Sequence, residues 1–151
     1  MSDIRYYSTK RQAIVQALAD ALKEIDGTGN YNMNLFNNVE PRLLFWDEIN
    51  EFPAINVTGG NESIAYQGGG YKDRFFSVTV RCYVEEENAA YALDALMEDV
   101  ETVVENNATL KFTDKKGVAR QTQDITLISI ETDEGALEPV GVGEMLLQVR
   151  Y

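Results

Sequence analysis

Histidine is absent from the sequence, and cysteine occurs once, at Cys82. Without histidine, the common nucleophile–base pairs and the ordinary zinc sites are excluded. A lone cysteine forms no internal disulfide, and its place in an alternating apolar run makes it a small buried hydrophobe rather than a nucleophile. Positive charge is scarce: 13 Lys and Arg stand against 25 Asp and Glu, a formal net charge of -12. Nucleic-acid affinity comes from clustered cations, so this balance excludes a face built to grip phosphates. No stretch approaches the roughly 18 consecutive apolar residues of a membrane span. The opening MSDIRYYSTKR also lacks the apolar core of a signal peptide. The expectation is a protein of a cytosol-like compartment with no membrane partner.

What is present suffices for one domain. A chain of 151 residues with 44% hydrophobic content is near the common size of a single domain. No internal repeat or low-complexity tract divides it, so residues 1–151 read as one unit. Its organising pair spans residues 74–105. In RFFSVTVRCYV, Phe76, Val78, Val80, Cys82 and Val84 fall on one face at period two. In the following NAAYALDALMEDVETVVE, Leu93, Leu96, Met97, Val100, Val103 and Val104 recur at spacings of three and four and make one helical stripe. The stripe is expected to lie on the Val/Cys face of the strand.

Around this pair the chain reads as follows. Ile14, Leu18, Leu22 and Ile25 predict a first helix ending near Ile25, with Thr9 and Gln12 as a capping box and Gly27 as its C-terminal cap; a start as early as Asp3 is also compatible with the sequence. Residues 28–38 are rich in Asn and Gly and predict an irregular connection, and residues 39–46 a short edge strand interrupted by Pro41. A helical turn over residues 47–51 leads to the strand FPAINV, which Gly59 and Gly60 are expected to end. A short strand over residues 62–67 then meets Gly68, Gly69 and Gly70, a mobile hairpin tip. That triplet is not a phosphate cradle, because GGGYKD has no GK[ST] and precedes a strand. After the helix, Asp114-Lys115-Lys116-Gly117 punctuates a hairpin. In DITLISIETD, Ile125 and Leu127 face one way and Ile128 and Ile130 the other, which predicts a second central strand covered on both sides. A final strand alternates Met145, Leu147, Val149 and Tyr151 against Leu146, Gln148 and Arg150. This order predicts an α+β fold: a mostly antiparallel sheet with two main helices packed on one face.

Only carboxylates remain as candidates for chemistry. Asp94, Glu98, Glu101 and Glu105 fall within a sector of about 60° on the second helix. Between Cys82 and Leu110 there is no Lys or Arg, so like-charge neighbours cost roughly 0.2–0.5 kcal/mol per pair without local compensation. The stripe reads as a solvated face that maintains solubility, as a wall past which DNA slides, or as a dock for the basic hairpin Lys111, Lys115, Lys116 and Arg120 of a neighbouring copy. No DxDxDG loop accompanies it, so no metal site is assigned. Nothing marks two acids as a buried catalytic pair, and neither an enzyme nor a cofactor is expected.

As a whole, the chain resembles the tail terminator, or tail-completion, proteins of long-tailed bacteriophages. The resemblance lies in the N-terminal helix ending at ALKEI, the run FPAINVTGG, the strand RFFSVTVRCYV followed by ALDALMEDVETVV, and the closing EPVGVGEMLLQVRY. It implies a virion structural protein assembled in the host cytoplasm and placed at the head-proximal end of the tail. There it would form a hexameric ring that caps the tube, stops its polymerisation and meets the head connector, with DNA passing through the lumen unbound. Its partners would be its own copies, the tail tube protein and a connector or neck protein. The tip Gly68, Gly69, Gly70 and Tyr71 is a candidate flexible contact loop. The competing readings are a head-closure or neck protein, and a small α+β module holding a ligand between sheet and helices.

Overall fold

Thr9 starts the first helix, its hydroxyl accepting the backbone N–H of Gln12 at 3.1 Å. In the computed structural model, which describes residues 8–151, α1 then spans Lys10–Leu22. The possible start near Asp3 lies outside the described residues. The helix ends at Leu22, short of the predicted Ile25. The N–H groups of Lys23, Glu24 and Ile25 instead bond to carbonyls three residues back, tightening the last turn before Gly27 takes a positive φ of 80°.

Seven strands follow: β1 (Val39–Glu40), β2 (Ala54–Tyr66), β3 (Lys72–Glu85), β4 (Lys111–Thr113), β5 (Ala119–Gln121), β6 (Asp124–Thr132) and β7 (Val140–Arg150), with α2 (Ala89–Asn106) between β3 and β4. The main sheet has the order β1-β2-β3-β7-β6, and β4 and β5 form a separate hairpin. Every neighbouring pair is antiparallel except β1 with β2. The expected edge strand shrinks to two residues, because Pro41 has no N–H to donate, and a 3-10 turn at Trp46–Glu48 follows.

Both helices cover one face, as the α+β reading requires. The alternating residues Val78, Val80 and Cys82 of β3 and Met145, Leu147 and Val149 of β7 are fully buried beneath them. All six residues of the α2 stripe are buried as well. Gly143 lets α2 ride close to the sheet, since a Cβ there would stand 2.8 Å from Met97 Sδ. Burial pushes the Cys82 thiol up to about 12, which makes it an inert part of the core.

Three expectations about the strands need correction. Gly59 and Gly60 do not end β2, which continues to Tyr66 through a register shift between Gly59 and Glu62. Gly59 is required for packing instead, because a Cβ there would lie 2.5 Å from Phe76 Cζ. The second correction concerns DITLISIETD, which is β6 at the edge of the sheet; the central partner of β3 is β7. The third follows from a register shift between Leu127 and Ser129, which turns Ile130 to the same face as Leu127. Beyond the sheet, β2 and β3 run on as a two-stranded arm. The glycine triplet forms its tip, closed by the Gln67 N–H to the Tyr71 carbonyl at 2.7 Å.

Candidate functional site

The geometry around α2 begins with its cap. Asn88 accepts the N–H of Tyr91, and the helix then runs over β7 and the edge strand β6. Asp94, Glu98, Glu101 and Glu105 together line one open cleft of about 500 Å³ between α2 and β6, floored by Ile130 and Thr132. The predicted stripe therefore exists as a surface. None of the ion pairs among the described residues includes any of its four carboxylates. Among the described residues no group of three His, Cys, Asp or Glu is placed to hold a metal ion.

Asp99 lies on the same helix but is buried, and periodicity did not single it out. Its two oxygens accept the backbone N–H groups of Asn32 and Met33 at 2.8 and 2.9 Å, tying the Asn-rich connection to α2. Burial raises its pKa above the ordinary 3.8, while the two N–H groups pull the other way.

The basic hairpin is not one group. Lys115, Lys116 and Arg120 line a second cleft, of about 510 Å³, whereas Lys111 is exposed on β4 and does not line it. That cleft also gathers Lys10 and Arg11 from α1, Arg74 from β3 and Tyr151 after β7, none of which the hairpin pattern indicated. Asp114 shapes its wall by accepting the N–H groups of Lys116 and Val118 at 2.9 and 3.0 Å and Arg120 Nε at 3.0 Å. These bonds, the Val118 N–H first and the Arg120 side chain next, hold its carboxyl below the ordinary carboxylate range. Opposite, Arg74 pairs with Glu62 at 2.7 Å, and Glu62 also accepts the Tyr151 hydroxyl at 2.9 Å. Burial and this bond push the Tyr151 phenol up to about 12. Arg11 stacks over Phe76 at 4.6 Å and donates to the Gly60 carbonyl.

The contact-loop candidates stand apart from both clefts. Tyr71 and Tyr66 are 74% and 73% exposed near the arm tip, with Lys72 Nζ 5.2 Å from the Tyr66 ring centroid.

The described surface thus carries an acidic cleft, a basic cleft and a two-stranded tip over an apolar core filled by side chains. In comparison with known proteins, a family model described as the bacteriophage tail tube terminator protein matches residues 8–151. The chain belongs to the phage tail tube terminator family. A tail tube terminator protein of Escherichia phage T5, p142, is 32% identical over 149 residues, covering 93% of this chain and 92% of that protein. This terminator is accordingly a structural protein of the virion tail and not an enzyme. Among solved structures, a chain from the virion of a native gene transfer agent particle superposes with a TM-score of 0.52. It covers 94% of this chain and 93% of its own length at 12% identity, a likeness of fold alone. Among the described residues no helix is long and apolar enough to cross a membrane.

Proposed function

We propose that this terminator assembles into a hexameric ring that caps the last ring of the tail tube and ends its polymerisation. Its opposite face meets the head connector, and DNA passes through its lumen. The observation that carries this reading is the match to the tail tube terminator family across residues 8–151. A ring built from one chain needs heterologous contacts, in which different patches of neighbouring copies meet. The acidic and basic clefts on separate elements are such patches. The net charge of -12 suits a passage for DNA, because like charge keeps the polyanion from sticking.

The ligand-binding alternative has little room. The space between helices and sheet is occupied by Leu96, Val100, Val80 and Leu147, all fully buried. A head-closure role is separated from a terminator role by the partner: a terminator binds tube ends without the head present. Native mass spectrometry of the protein alone, followed by electron microscopy with purified tail tubes, tests the proposal. A discrete ring seated at one tube end is expected, whereas a strict monomer that leaves tube ends bare overturns it.

A further inference from the structure

The basic cleft is unusual in a chain that is otherwise so acidic. Six of its lining residues are cationic, drawn from α1, β3 and the β4–β5 hairpin. Two of them are already neutralised, Arg74 by Glu62 and Arg120 by Asp114. Lys10, Arg11, Lys115 and Lys116 have no acidic partner among the described residues. Four solvent-exposed cations thus line one concavity with no carboxylate paired to them among the described residues, which makes it a basic patch open to an anionic partner.

The carboxylate stripe of α2 has the opposite imbalance. Asp94, Glu98, Glu101 and Glu105 likewise have no basic partner among the described residues, and they extend about 16 Å along the side of α2 that borders the cleft against β6. The two features lie on different elements, and among the described residues no ion pair joins one to the other within the chain, so each is open to the complementary feature of a neighbour. We propose that the cleft lined by Lys10, Arg11, Lys115 and Lys116 receives the α2 carboxylates of a second copy, making the head-to-tail contact of the assembly. This deepens the ring reading and rests on it. A carboxylate occupant fits better than a nucleic acid. The unpaired carboxylates of α2 supply such an occupant on every copy, whereas a net charge of -12 opposes the approach of a polyanionic duplex. The turn closed by Asp114 fixes the backbone at Lys116 and Val118, so the hairpin that carries the two lysines is already formed before the neighbour arrives.

The test is a charge swap read by analytical ultracentrifugation of the full chain, with circular dichroism melts to confirm that each variant folds. Lys115→Glu with Lys116→Glu, and separately Glu98→Lys with Glu101→Lys, are each expected to weaken self-association by about tenfold or more. Raised salt is expected to weaken the wild type. Mixing the two variants should restore assembly, because each reversed patch then meets its complement. Rings unaffected by either reversal, or a loss that mixing fails to repair, overturn the contact and leave the ring reading standing. A wild type that stays monomeric at every concentration overturns both. Duplex DNA or inorganic phosphate that binds the cleft of the wild type and not of the Lys115→Glu/Lys116→Glu variant, with rings intact in both, also overturns the contact.

Discussion

Asp99 Oδ1 accepts the backbone N–H of Asn32 at 2.8 Å, joining the middle of α2 to a connection 67 residues earlier. The second oxygen does the same for Met33, so two N–H groups of an irregular segment are satisfied by one buried carboxylate. Without it the segment has an unpaired donor pair against an apolar helix. Asp99→Ala is expected to lower unfolding stability by about 2–3 kcal/mol, since charge-assisted hydrogen bonds are lost and the partners stranded. Denaturant titration measures the loss, and faster hydrogen exchange at Asn32 and Met33 would locate it.

The same carboxylate has an uncommon pH signature. Its folded pKa lies above 3.8, so between that value and the folded one the native state binds more protons than the unfolded chain. Its contribution to stability therefore falls as pH rises through that window. Asp114 behaves oppositely. Its folded pKa is below 3.8, so its contribution is complete above 3.8 and is lost as pH falls through the folded value. Thermal melts of wild type and Asp114→Asn should differ above pH 3.8 and converge in stronger acid. A difference that persists unchanged at the acid end would refute the assignment.

Packing at two strand glycines makes a graded prediction. Alanine at Gly59 would drive its Cβ to 2.5 Å from the ring of Phe76, which is fully buried. At Gly143 the obstacle is Met97 Sδ at 2.8 Å, and a thioether adjusts more easily than a buried ring. Both substitutions destabilise, Gly143→Ala by about 1 kcal/mol and Gly59→Ala by about 2–3 kcal/mol. Equal midpoints in a urea series would contradict the ranking.

Much of this was legible in one dimension. Val78, Val80 and Cys82 alternate, and Leu93, Leu96 and Val100 recur at helical spacing, because burying one face of each element leaves that periodicity in the chain. The acidic stripe was equally readable, being a property of a single helix. β6 was not: Ile125, Leu127, Ile128 and Ile130 suit a strand covered on both sides, and a bulge at an edge yields the same run. Nor did two glycines end β2, since a packing requirement and a strand break look identical in sequence.

By itself, then, the amino-acid sequence determined the element types, the core faces, the absence of histidine-based chemistry and the acidic face of α2. Each of these depends on residues a few positions apart. The tertiary structure alone decided that β7 and not β6 is central, that Asp99 clamps residues 32 and 33, and that Lys10, Arg11 and Arg74 join Lys115, Lys116 and Arg120 while Lys111 stands aside. Those groupings depend on which distant segments the sheet brings together, and no local spacing encodes a contact made across the fold.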